Sequence, residues 1–139
     1  MIHGAHFLLY TPDPEADRAF FRDVLALPSV DAGEGWLIFR LPPSELALHP
    51  ADEPLLQPEG GQDMLGAVLY LMCDDVQAQT DALRARKIGC TPPKRAPWGM
   101  YVIVDLPSGG KIGLYQPSHP TAIERQSEGP ASAGPARAG

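Results

Sequence analysis

The sequence predicts an α+β protein built from two β-α-β-β-β modules. Three observations predict it. Short apolar runs rich in branched and aromatic residues alternate with turn clusters. Two amphipathic helical stretches each follow an aspartate. The whole order of signals then occurs a second time, and an internal repeat makes each half support the other.

His6 to Thr11 opens the first module as a short apolar strand, ended by Pro12-Asp13-Pro14. Asp13 is placed to cap a helix that carries Phe20, Val24 and Leu27 on one stripe and is closed by Pro28. Strands are expected near 29–32, 36–41 and 46–49. Gly33-Glu34-Gly35 and Pro42-Pro43-Ser44 supply the turns between them. From 51 to 64 the composition shifts to Pro, Gly, Glu and Gln, which reads as a linker. The order then restarts at 65. A strand at 66–73 precedes Asp74-Asp75, a helix at about 76–87 and a stop at Gly89. Strands near 90–91, 100–105 and 111–116 complete the second module, with Pro107-Ser108-Gly109-Gly110 turning between the last two. Modules at 1–50 and 65–119 thus form one domain. From 120 to 139 the chain is too poor in apolar surface to offset its ordering entropy, so a mobile tail is expected.

A chain of 139 residues, 44% of them apolar, is long enough for one real core. Its net charge of -6 argues against nucleic acid and anionic membrane as partners. The basic run Arg84-Ala85-Arg86-Lys87 falls at a helix end, where it complements the dipole. The only two cysteines, Cys73 and Cys90, are too few for a disulfide framework or a structural zinc site. Without a signal peptide or a spanning apolar stretch, the chain is expected in the cytoplasm.

Several segments carry a family pattern: His6-Phe-Leu-Leu-Tyr-Thr-Pro-Asp13, Ala19-Phe-Phe-Arg-Asp-Val-Leu25, Cys73-Asp-Asp-Val76, and Asp105-Leu-Pro-Ser-Gly-Gly110 followed by Lys111-Ile-Gly-Leu-Tyr-Gln116. In this order the chain resembles the glyoxalase/bleomycin-resistance/extradiol-dioxygenase (vicinal oxygen chelate) superfamily. The resemblance implies a glyoxalase-like fold, in which the modules curl into a mixed-sheet cup with the helices outside. It also implies a homodimer and a small molecule in the cup, often over a divalent metal held by side chains of the first and last strand of each module. His6 stands at one of those ligand positions, seven residues before Asp13. The other three fall on Ala47, Val68 and Gly113, which offer a metal no donor.

Alternation of strand faces places His6, Leu8 and Tyr10 toward the cup, with Glu45, Ala47 and His49. In the second module it places Val68, Tyr70 and Met72 there, with Lys111, Gly113 and Tyr115. The small residues Ala47 and Gly113 are expected to leave room. Trp36 and Trp98 are candidates for the cup mouth, whereas His3 and His119 receive no role. The expected function is binding of a small amphipathic or aromatic molecule, without cofactor. The alternatives are an enzyme using His6, Glu45 and His49, with a divalent metal or by acid–base chemistry, and a scaffold whose cup is filled by its own side chains.

Overall fold

The structure, a computed structural model, describes residues 1–123; the tail expected at 120–139 lies, from residue 124 on, outside the described residues. Asp13 caps α1 (Pro14–Asp23), its Oδ1 accepting from the Ala16 N–H at 3.2 Å, and Pro14 supplies a first position that needs no donor. The helix ends at Asp23, short of Pro28, because the chain turns left-handed at Ala26. Val24 and Leu27 therefore reach the core from the loop after the helix. β1 (Ser29–Asp31) and β2 (Leu37–Phe39) pair antiparallel as expected.

The 51–64 segment, expected as plain linker, contains a hairpin of β3 (Leu56–Glu59) and β4 (Gln62–Leu65). Gly60 and Gly61, at φ of 60° and 75°, form its turn, and only glycine takes two such angles without strain.

The second module follows its expected order. β5 (Tyr70–Met72) leads to α2 (Val76–Ala85), capped by Asp75, whose Oδ1 accepts from the Ala78 N–H at 3.0 Å. Lys87, at φ 63°, ends that helix in place of the anticipated Gly89. β6 (Lys94–Ala96), β7 (Gly99–Asp105) and β8 (Lys111–Pro117) follow. Together they make a four-stranded sheet ordered β5-β8-β7-β6, in which only the β5–β8 pair is parallel. The expected strand at 90–91 is a single bridge from Cys90 to Val104.

One core joins the modules. Phe20 and Phe21 of α1 and Val76 and Leu83 of α2 cluster with Val102 and Val104 of β7 and Ile112 of β8. Two polar contacts pin the arrangement. The Gln116 side chain accepts from the Val76 N–H at 3.1 Å, tying α2 to β8. Asp17, buried on α1, accepts from the Thr11 hydroxyl at 2.6 Å and from the Ser108 N–H at 3.1 Å, tying the first module to the β7–β8 turn.

The runs 6–11 and 46–49, expected as strands, are not strands in the single chain. Their apolar residues lie open, from 47% exposed at Phe7 to 84% at Leu48. An extended run becomes a strand only when a neighbour accepts its ladder bonds, and here it has none. No helix among the described residues is long and apolar enough to cross a membrane.

Replacing Asp17 by Ala leaves the half-buried Ser108 N–H without its acceptor, and chemical denaturation should register a loss of about 1 kcal/mol. Asp75→Ala should cost about 1 kcal/mol through the lost cap, whereas Asp75→Asn keeps an acceptor and should recover most of that loss.

Candidate functional site

The alternation that buries Val102, Val104 and Ile112 under the helices turns Tyr101, Ile103, Lys111, Gly113 and Tyr115 to the opposite face of the sheet. Register completes that face from β5, where Tyr70 lies beside Gly113 and Met72 beside Tyr115. The second-module cup residues Tyr70, Met72, Gly113 and Tyr115 thus come together as the strand periodicity predicts.

The space of the missing Gly113 side chain, however, is taken by the Tyr70 ring. A Cβ at this position would overlap the ring of Tyr70, so glycine is what lets that ring lie flat across β8. The ring then meets Tyr115 at 5.5 Å and Trp98 at 5.6 Å, while Trp98 meets Tyr115 at 5.3 Å. All three pairs are edge-to-face, at 83°, 73° and 79°, an arrangement the ring quadrupoles favour. Tyr101 stacks under Trp98 at 5.1 Å. Tyr101 was not among the expected cup residues, although its place two residues before Ile103 puts it on the same face.

Beside this aromatic floor lies an open recess of about 260 Å³, lined by Leu9, Val68, Tyr70, Ile103, Lys111 and Gly113. Lys111 brings charge to it, paired with Asp105 across the rung at 2.5 Å. Both partners are more than half exposed, so the pair adds little stability.

The first-module candidates do not converge. His6, Tyr10, Ala47 and His49 are exposed, and the His49 ring turns to the Pro50 carbonyl at 2.7 Å. Glu45 is half-buried and its Oε1 accepts from the Ala122 N–H at 2.8 Å. Trp36 lies under the Arg18 guanidinium, 4.6 Å from its ring centre, and takes no part in the floor. Of the four ligand positions that the resemblance implies, His6 alone carries a donor. The other three carry Ala47, Val68 and Gly113. Among the described residues, no group of three or more His, Cys, Asp or Glu side chains is placed to hold a metal.

His119 was given no role, yet it sits on the floor. Its ring stacks on Tyr115 at 6.0 Å and 22°, and its Nε2 lies 3.2 Å from the Tyr115 hydroxyl. No sequence signal marks it, because it follows the last strand in an irregular segment. Burial, and secondarily the charge of Glu45, push the Tyr115 phenol above its ordinary range. Burial likewise raises the Cys73 and Cys90 thiols, which keeps them protonated and poorly nucleophilic.

A raised folded-state value means that stability from Tyr115 is complete below the usual tyrosine range and is lost as pH climbs through the folded value. In an alkaline titration of tyrosinate absorbance, Tyr115→Phe should delete the last component to ionise. Glu45→Gln should move that component to lower pH.

The sequence pattern of the Glyoxalase/Bleomycin resistance protein/Dioxygenase superfamily matches residues 4–114. Among solved structures, the chain is similar to TnmS3, an antibiotic binding protein from Streptomyces sp. CB03234. The two are 25% identical with a TM-score of 0.52, over 85% of this chain and 98% of that one. A lactoylglutathione lyase from Agrobacterium tumefaciens shares the fold at 24% identity and a TM-score of 0.54, over 78% of this chain and 88% of its own. The genomically encoded fosfomycin resistance protein FosX of Listeria monocytogenes shares it at 13% identity and a TM-score of 0.51, over 85% and 96%. No curated protein matches the chain. With the family pattern spanning both modules, the chain belongs to the Glyoxalase/Bleomycin resistance protein/Dioxygenase superfamily.

Proposed function

We propose that this chain binds a small amphipathic or aromatic molecule in its cup, without the family's usual metal, as a homodimer in the cytoplasm. The observation that carries the reading is the aromatic floor of Tyr70, Trp98, Tyr101 and Tyr115 beside an apolar recess, in a chain whose family ligand positions hold Ala47, Val68 and Gly113. Rings and aliphatic walls with a single charged group at the rim suit a ligand held by burial and stacking. The likeness to an antibiotic binding protein points the same way. The enzyme alternative draws no support from the geometry, since His6, Glu45 and His49 turn to separate partners or to solvent.

The homodimer rests on the runs around Phe7–Tyr10 and Leu46–Leu48, which leave apolar side chains open and backbone groups without a ladder. A second copy of the chain would cover both and extend the cup wall beyond the Leu9 and Val68 edge of the recess. The two free cysteines accord with a reducing compartment.

Protein purified without chelator should contain far less than one nickel, zinc, iron or manganese per chain by elemental mass spectrometry. A full equivalent that disappears in His6→Ala would sink the metal-free reading. Light scattering should give twice the chain mass. Leu46→Glu with Leu48→Glu should shift it toward the monomer.

A further inference from the structure

At the aromatic end of the cup the chain itself covers Tyr115. After β8 the backbone turns across the floor, held at Ser118, whose N–H donates to the Trp98 carbonyl at 3.0 Å. It is held again at Ala122, on the Glu45 carboxylate of the first module at 2.8 Å. Between these two anchors the His119 ring lies against the hydroxyl end of Tyr115, the ring centres 6.0 Å and the planes 22° apart. The imidazole's proton can be placed from its neighbours. Nδ1 is 2.8 Å from the Pro120 carbonyl, which only accepts, so Nδ1 carries the hydrogen. In the neutral ring Nε2 then has a free lone pair, and the Tyr115 hydroxyl donates to it at 3.2 Å.

His119 therefore presents to the floor a flat ring whose acceptor nitrogen takes the Tyr115 proton. We infer that it is a built-in stand-in for the ligand: the cup takes a planar heteroaromatic ring that sits against the hydroxyl end of Tyr115 and accepts a hydrogen bond from it, displacing the 118–123 strap. The open recess lies at the Lys111 and Gly113 end of the face, and the strap covers Tyr115 beyond it. Lifting the strap joins recess and floor into one longer groove. Neither the resting stack nor the single hydroxyl contact is strong, which suits a contact that a ligand must replace. The requirement for an acceptor is the selective element. A hydrocarbon ring matches the shape and leaves the buried hydroxyl unpaired.

This inference rests on the cup being a small-molecule site, and its test separates the two. Quinoline and naphthalene have the same outline and differ by one acceptor nitrogen. Their binding to the full chain, to His119→Ala and to His119→Ala with Tyr115→Phe is followed by ligand-observed magnetic resonance. Glu45→Ala serves as a second release of the strap, at its other anchor. His119→Ala should bind quinoline about ten-fold more tightly than the parent chain, from one stack and one hydrogen bond no longer displaced. Glu45→Ala should shift binding in the same direction by less. His119→Ala should prefer quinoline to naphthalene, and the added Tyr115→Phe should erase the preference. Equal quinoline affinity in parent and both strap variants overturns the stand-in while leaving the binding cup intact. Absence of binding of either probe by all four proteins overturns both.

Discussion

The antiparallel ladder between β7 and β8 is the constraint from which the rest of the molecule follows. Seven rungs, from Gly99 opposite Pro117 to Asp105 opposite Lys111, hold two strands in a register that gives each face a different job. On one face Val102, Val104 and Ile112 are sealed beneath both helices. On the other, Tyr101 and Tyr115 sit directly opposite each other and begin the aromatic floor. A slip of one residue would send the tyrosines into the core and the valines to the cup, so the burial under α1 and α2 also fixes the site. The remaining contacts of the domain reinforce that choice. Gln116 locks the start of α2 to β8, and Asp17 locks α1 to the turn between the two strands.

Of the positions that the resemblance assigns to metal ligands, Gly113 serves packing in this chain, whereas Ala47 and Val68 stand exposed. At Gly113 the missing side chain admits the ring of Tyr70, and that ring organises Trp98 and Tyr115 around it. The result is a surface of packed aromatic rings with polarisable faces. The lyase and the fosfomycin resistance protein among the structural neighbours share its fold. The first module supplies few walls. Its outer runs carry Phe7, Leu8, Leu9 and Tyr10 with no sheet to join, and leave these apolar side chains open.

How much was legible beforehand depended on whether the signal was local. Asp13 and Asp75 announced their helices because a cap acts within three residues, and both carboxylates accept as expected. The second-module strands and the shared face of Tyr70, Gly113 and Tyr115 were readable from period-two alternation. The hairpin at 56–65 was not read, although Gly60-Gly61 between two short runs was a visible turn signal. Helix ends were misplaced for a different reason. Ala26 and Lys87 adopt left-handed conformations that their side chains do not advertise, so the chain left both helices before the proline and glycine expected to stop them.

The sequence alone thus determined the family, the two-module order, the capped helices and the absence of donors at Ala47, Val68 and Gly113, because each of these is written in residue type and short spacing. Only the tertiary structure decided what that absence means. Whether a glycine leaves a hole or receives a ring depends on which side chain lies across from it, and the β5–β8 register put Tyr70 there. The same holds for His119, which reaches the floor because the backbone after β8 bends back between Trp98 and Glu45, a path set by contacts distant in the chain. For 6–11 and 46–49 the pattern of a strand was present, but a strand needs a neighbour, and sequence specifies the propensity without supplying the partner.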